Sequence, residues 1–350
     1  MSVTKKSPHA KLARLAEGVL GRSVARIEKP GGSRRQSCRL VLDDDERVIA
    51  TRRDELSQAV LEVRVLKLLA DNDAPVPSVL ASRGDFLVQS HLDGPRLSQA
   101  LDGAGPATVE RLLDDGLASL TRLHQTGSAL GLDESVPRRG HKRGWIEGLI
   151  ERPAVFSRVF DLEPPDLPHE DLIRLFSVER PRFVKWDARP ANAILTEGGV
   201  AWFDFEDCGA RRRLDDLIWL LADEFTPDLI DVEARLLEKH LPVFADGLAV
   251  EEAHRYVHAY GAFHILVRLG LILKRKGDGS WWAHDYCLER DKAGVTRACA
   301  MRLCLRAARW SSEVVELQPL ARWFVALAER IPPEDAAEAA AKLRLRRLDA

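Results

Sequence analysis

Cysteine is scarce in this chain: Cys38, Cys208, Cys287, Cys299 and Cys304 are the only five in 350 residues, and they stand far apart. That number and spacing exclude a disulfide-stapled secreted scaffold, and with no C-x-x-C pair there is nothing to start a zinc site. A reducing compartment, the cytoplasm, is the expectation. Charge of one sign is not in excess either. Lys+Arg 52 against Asp+Glu 54 leaves a formal net charge of -2, without the global basic footprint of a dedicated nucleic-acid binder. Long apolar runs are missing. The longest, Ala259–Leu273, is interrupted by His264 and Arg268 and falls short of the roughly 20 apolar residues that span a bilayer, so it is expected to be a buried helix of a soluble core. The first twenty residues lack the uninterrupted apolar stretch and small-residue cleavage site of a signal peptide. No internal repeat, low-complexity linker or G-x-S-x-G elbow is found.

What is there divides by texture near Gly94. Before it, apolar spacing predicts a helix over 9–21 and another over 56–70, which stops before Pro75-Val76-Pro77. Two β-like runs, SCRLVLDD and RVIATRR, flank a turn and follow Pro30-Gly31-Gly32-Ser33; a third strand, FLVQSHL, covers 86–92. That is a small α+β lobe with one sheet over 1–94. Beyond it, 95–350 reads as mainly helical. Helices are expected at 107–125, 143–151, 170–177, 214–224, 231–240, 250–273, 293–309, 313–330 and 334–347, with short strands near 183–184, 193–196 and 200–203. Arg152–Pro168, with four prolines, reads as a long surface connection.

The chemistry concentrates in FVKWDARPANAILTEGGVAWFDFEDCG, residues 183–209. Asp187 and Asn192, five apart, lie in a loop between apolar strands, and Asp204 ends the following hairpin. Any one of them alone is an ordinary turn residue. Together, three oxygen-bearing side chains on neighbouring loops are what a hard cation such as Mg2+ takes, with water and substrate phosphates completing its shell.

This segment resembles the aminoglycoside and choline phosphotransferase family of the protein-kinase-like fold, whose H-x-D-x-x-x-x-N loop and I-D-F/W-E hairpin correspond to Lys185–Asn192 (185–192) and to the hairpin 200–206 ending in Phe203-Asp204-Phe205-Glu206. The resemblance implies a two-lobe fold and an ATP- and Mg2+-dependent phosphotransferase acting on a hydroxyl of a small molecule: an amino sugar, sugar, amino alcohol or aminoglycoside-like compound. It makes Asp187 the residue that accepts or orients the hydroxyl proton and Asn192 and Asp204 metal ligands, with Glu206 toward a second Mg2+. Arg189 is either a cation facing the transferred phosphate or a surface arginine. Lys185 stands where the family has the histidine that braces the loop.

In the smaller lobe the resemblance places Gly31, Gly32 and Ser33 at the phosphates, where a plain hairpin turn would use the same residues. It sets Ala50-Thr51-Arg52 in the position of A-x-K. Alternation puts Ala50 and Arg52 on one strand face, and Arg52 is expected to contact the phosphates and pair with Glu62 of the helix. Ser90 and His91, within Gln89–Leu92, are expected at the hinge, with backbone facing the adenine edge. Eleven residues separate Asp204 from Asp216, too few for a protein-kinase activation segment, which favours a small acceptor. Asp216 reads as a helix-start carboxylate without a catalytic role.

Less is carried by His254 and His258, Arg211-Arg212-Arg213 and Trp281-Trp282, whose ordinary readings are core or surface histidines, a solvated charge run and packed tryptophans. Two other functions stay open on the sequence: an idle kinase-like nucleotide-binding protein, suggested by Lys185 and Arg52, and an atypical protein kinase. The oligomeric state is not encoded in any motif.

Overall fold

A computed structural model describes residues 8–28 and 36–333; Gly31, Gly32, Ser33 and the helix expected at 334–347 lie outside them. In the first part of the chain, helix α1 (Pro8–Leu20) leads to β1 (Val24–Glu28), β2 (Ser37–Leu42) and β3 (Arg47–Arg52). Then come α2 (Leu56–Ala70), β4 (Val79–Arg83) and β5 (Phe86–Ser90). Helices α3 (Leu97–Leu101), α4 (Pro106–Ala129), α5 (Leu132–Ser135), α6 (Arg143–Ile150), α7 (Arg152–Phe160) and α8 (His169–Phe176) follow. Four short strands come next: β6 (Arg182–Val184), β7 (Ala193–Thr196), β8 (Gly199–Trp202) and β9 (Gly209–Arg211). The rest is helical: α9 (Leu214–Leu221), α10 (Ile230–Phe244), α11 (Val250–Lys276), α12 (His284–Glu289), α13 (Arg297–Ser312) and α14 (Gln318–Arg330).

These elements form two compact units. The first holds the chain up to Arg139, Val178–Leu220 and Asp231–Asp246; the second holds Gly140–Ser177, Leu221–Ile230 and the chain from Gly247. The first contains a five-stranded antiparallel sheet in the order β1-β2-β3-β5-β4. Alternation along its strands sends Cys38, Leu40, Leu42, Val48, Ala50, Phe86 and Val88 to one face, where they pack on Leu12, Ala13 and Ala16 of α1. Burying each large side chain there contributes about 1.5–3 kcal/mol. The sequence reading missed the edge strands β1 and β4, whose residues are largely half-exposed and so carry no apolar run.

In the second unit, the apolar stretch read at 259–273 is the centre of α11. This helix is long and apolar enough to cross a membrane by composition, but 78% of its apolar window is buried inside the protein. Tyr256, Tyr260 and Phe263 of α11 surround Phe176 edge-on, at centroid distances of 5.4–6.3 Å. The expected connection at Arg152–Pro168 begins instead with α7, because Pro153 sits in the helix's first turn, where its missing N–H costs nothing. Helices α3, α5 and α12 and strand β9 were also unread; all are six residues or shorter, below one clear hydrophobic period.

Candidate active site

The loop 185–192 leaves β6, which is paired with β9 in register Val184 to Gly209. Its entry is a sharp reversal: Trp186 and Asp187 are consecutive left-handed residues, with φ of 55° and 56°. Such a turn in non-glycine residues persists only where surroundings over-determine it. Asp216, fully buried, does so. Its carboxylate accepts the N–H of Lys185 at 2.7 Å and of Trp186 at 2.8 Å, and His124 Nε2 lies 2.8 Å from the same group. Asp216 therefore braces the loop, a role beyond the helix-start duty expected of it. Further along, Asn192 Nδ2 donates to Asp187 Oδ2 at 2.7 Å and to its carbonyl at 3.0 Å, while Arg189 Nε lies 3.1 Å from Asp187 Oδ1. Both oxygens of Asp187 are thus aimed.

Lys185 is completely buried. Its ammonium donates to the backbone carbonyls of Asp187 (3.3 Å) and Asp204 (3.1 Å) and lies over the rings of Phe205 (5.1 Å) and Trp202 (6.0 Å). Burial pushes its pKa down, and the charges of Asp187, Asp204 and Asp216 oppose that shift. It ties the loop to the hairpin that β7 and β8 build.

At the end of that hairpin, Asp204 is also left-handed, at φ 67°. Here the expected ion pair is corrected. Arg52 does not reach Glu62; its Nε pairs with Asp85 at 2.6 Å, part-exposed. The strand alternates as read, but the face shared by Ala50 and Arg52 is the one packed on α1. Arg53, of opposite parity, turns toward α2. Its guanidinium makes a two-pronged contact with the fully buried Glu62 (2.6 Å each), donates to Asp204 Oδ1 at 2.7 Å and lies 3.2 Å from Glu206 Oε2. Glu62 also accepts the N–H of Phe205 at 3.0 Å, which fixes the hairpin's end to α2.

One cation among three carboxylates sets the local electrostatics. Burial works to lower the Arg53 pKa, but Asp204, Glu62 and Glu206 outweigh it and hold the group firmly charged. Burial would raise Asp204; the charges of Arg53 and Lys185 hold it below the usual carboxylate range. Glu206 goes the other way. Burial, together with Asp204, Asp207 and Glu62, pushes it up to about 7 against the pull of Arg53.

The five-stranded sheet, the loop 185–192 and the hairpin ending at Asp204 all lie within residues 12–264, which the model of the phosphotransferase enzyme family, APH, matches. The chain belongs to this family. No curated protein is a sequence match for it. Among solved structures, this phosphotransferase is similar to the amicoumacin kinase hAmiN in complex with AMP-PNP, Ca2+ and Ami, at 13% identity and TM-score 0.56, over 82% of this chain and 94% of that one. A gentamicin complex of APH(2'')-IIa gives 14% and 0.52, over 92% and 99%. Macrolide 2'-phosphotransferase MphH from Brachybacterium faecium gives 16% and 0.50, over 84% and 97%. At such identities the likeness is one of fold: the α+β, protein-kinase-like architecture with a small antiparallel sheet and a mainly helical remainder.

In the phosphotransferase the hinge candidates lie at the end of β5. Ser90 is partnered by Ser78, giving its N–H to the Ser78 carbonyl at 2.9 Å and accepting the Ser78 N–H on Oγ at 3.0 Å. His91 Nδ1 is 3.1 Å from Asp93, and burial lowers its pKa. Just beyond, Gly94 (φ 138°) lies so close to β7 that a Cβ there would meet the Leu195 carbonyl oxygen at 2.0 Å, so no other residue fits.

The donors suit a hard divalent cation. Asn192 spends its amide N–H on Asp187, leaving its carbonyl oxygen for a ligand, and Asp204 gives only one oxygen to Arg53. Among the described residues no cluster of three or more His, Cys, Asp or Glu that could hold a metal ion is present. The remaining candidates have structural partners. His258 Nδ1 bonds the His254 carbonyl at 2.8 Å; Trp281 Nε1 donates to the Pro332 carbonyl at 3.1 Å. Arg211 is not part of a solvated run but is buried, 2.5 Å from Asp215. Sequence reading missed Arg53 and the loop-fixing role of His124; for Arg53, the signal was its position beyond the strand's α1-facing set.

Proposed function

We propose that this phosphotransferase moves the γ-phosphoryl group of ATP to a hydroxyl of a small molecule, with Mg2+ as cofactor. The observation that carries the reading is the Arg53 guanidinium spanning Glu62 of α2 and Asp204 of the hairpin, within the same unit as the aimed carboxylate of Asp187. The segment through Gly94 is the nucleotide lobe, with Gly31, Gly32 and Ser33 at the phosphates and the Ser90–His91 backbone beside the adenine. Arg53 takes the phosphate-facing place that Arg52 was expected to hold. Bound at Asn192 and Asp204, with Glu206 beside them, Mg2+ supplies charge neutralisation for the phosphates.

Asp187 positions the acceptor hydroxyl and takes its proton as the acceptor oxygen bonds to the γ-phosphorus and the bond to the β-bridging oxygen breaks, releasing ADP. Arg189, tied to Asp187 Oδ1, stands where it can meet the transferred group's charge. An amino sugar, sugar, amino alcohol or aminoglycoside-like compound is the acceptor class. The test is thermal stability of the purified chain with ATP, Mg2+, both and neither, followed by ADP release against a panel of those acceptors. Stabilisation requiring both ligands, with ADP release for one class, is the expected result. Absence of any shift removes the nucleotide site.

A further inference from the structure

The chain leaving β5 does not run free into α3. Pro95 accepts the Leu195 N–H of β7 on its carbonyl at 2.9 Å, and Arg96 forms an antiparallel bridge with Ile194, so residues 95–96 lie as a short extra strand beside the β7–β8 hairpin. The close approach of Gly94 to Leu195 begins the same pairing. This brings one guanidinium to the neighbours of both candidate metal ligands. Arg96 Nη1 donates to the carbonyl of Ala191, and the guanidinium carbon lies 5.2 Å from the centroid of Phe203. Ala191 directly precedes Asn192, and Phe203 directly precedes Asp204.

The peptide between Ala191 and the buried Asn192 is thereby held on both sides: its carbonyl by Arg96, and its N–H by the Arg189 carbonyl at 2.8 Å. The Asn192 carbonyl in turn accepts the Phe203 N–H at 3.1 Å, which ties the loop to the end of the hairpin. With the Asn192 amide N–H spent on Asp187, the direction of its amide oxygen follows from the backbone that Arg96 holds. A guanidinium suits this place, because it covers a ring with its planar face and donates from its edge, whereas an ammonium is a point donor. It has no lone pair to offer a metal, so any effect on the cation passes through its neighbours.

We propose that Arg96 is a positioning residue for the divalent cation: through Ala191 and Phe203 it sets Asn192 against Asp204, and so sets the affinity for the metal. This rests on the phosphotransferase reading above. It is tested on the full chain with Mn2+ as the probe, its binding in the presence of AMP-PNP followed by loss of the free-ion EPR signal, and with metal-free ADP binding measured on the same samples. Arg96→Met keeps an apolar stem but loses the charge and the donor, and should raise the Kd for Mn2+ about tenfold, the size expected for a group that holds a metal's ligands. Metal-free ADP should bind within about twofold of the unsubstituted chain, a span too small for a lost contact to the nucleotide. Arg96→Lys, which keeps the charge and a donor, should fall between the two. Phe203→Leu takes away the ring but leaves the hydrogen bond to Ala191, and should weaken Mn2+ by about two- to fivefold; it carries the test if Arg96→Met does not fold. The inference is overturned if the folded variant leaves the Mn2+ affinity unmoved, or if Mn2+ and ADP weaken by the same factor, the mark of a merely structural residue. An unsubstituted chain that binds no Mn2+ with AMP-PNP present overturns the phosphotransferase reading instead.

Discussion

Two clusters of buried charge, one in each unit, are built on opposite balances. Around Arg53 three carboxylates, Glu62, Asp204 and Glu206, share one guanidinium, with Lys185 adding a cation against the Asp204 carbonyl. In the second unit the cations are in the majority. Glu224 is gripped by both prongs of Arg268 (2.6 and 2.9 Å) and by the Gly294 N–H, while Asp228 faces Arg306 and Arg309 at 3.2 and 2.7 Å. Arg306 spends its other donors on the Asp223 and Thr226 carbonyls. Burial would raise Asp228, yet the two arginines hold it below its ordinary range. The second cluster is satisfied by its own arginines; in the first, three carboxylates, Glu62, Asp204 and Glu206, face two cations, Arg53 and Lys185.

The largest effect should come from the acid-rich side. Asp187→Asn keeps the left-handed turn and the contact with Asn192 but removes the proton acceptor proposed above, so kcat should fall by about 10²–10⁴. The melting temperature should scarcely move. ADP release on the folded variant checks this, and unaltered turnover removes Asp187 from the chemistry. In the saturated cluster the effect should be on folding instead. Glu224→Ala strands Arg268 in the interior at a cost of about 3–5 kcal/mol, read from denaturant midpoints, while the remaining folded protein binds ATP as before. Loss of nucleotide affinity without destabilisation would erase the distinction between the clusters.

Neighbouring arginines sharpen it further. Arg53→Met should raise the KM for ATP about tenfold or more, whereas Arg52→Met, whose partner Asp85 is part-exposed, should change it about twofold or less. Equal effects would return the phosphate-facing role to Arg52.

That pair also marks where the sequence stopped being legible. The order of strand, helix and loop and the helix at 56–70 were readable because apolar period and turn chemistry are local properties, whereas Glu62 on that helix was singled out only by the family resemblance. Which face of β3 meets α2 is not local: it depends on α1 covering the other face, and the parity of the strand alone allowed either choice. Likewise, Asp187, Asn192 and Asp204 were found from their spacing. The consecutive left-handed turn and its brace, His124 with Asp216, join residues 92 apart, and no local pattern records that. Short helices such as α3 and α5 were invisible because four or five residues cannot display a repeating 3.6-residue period.

The smallest effect should be the most diagnostic of surplus charge. Glu206 is held up to about 7 by burial and by Asp204, Asp207 and Glu62, against an ordinary value of 4.5. Between those two values the folded chain keeps a proton that the unfolded chain has lost, so this group's contribution to stability falls as pH rises from 4.5 through about 7 and is constant above. Wild type minus Glu206→Gln, compared by urea midpoints at steps across that window, should show this slope, since glutamine does not titrate. Mg2+ with a non-hydrolysable ATP analogue should flatten it, because a bound cation favours the ionised carboxylate and draws its pKa back toward the unfolded value. A difference that rises with pH, or one indifferent to Mg2+, would mean that Arg53 alone balances the cluster, and the contrast with the Arg268 region would reduce to one of geometry.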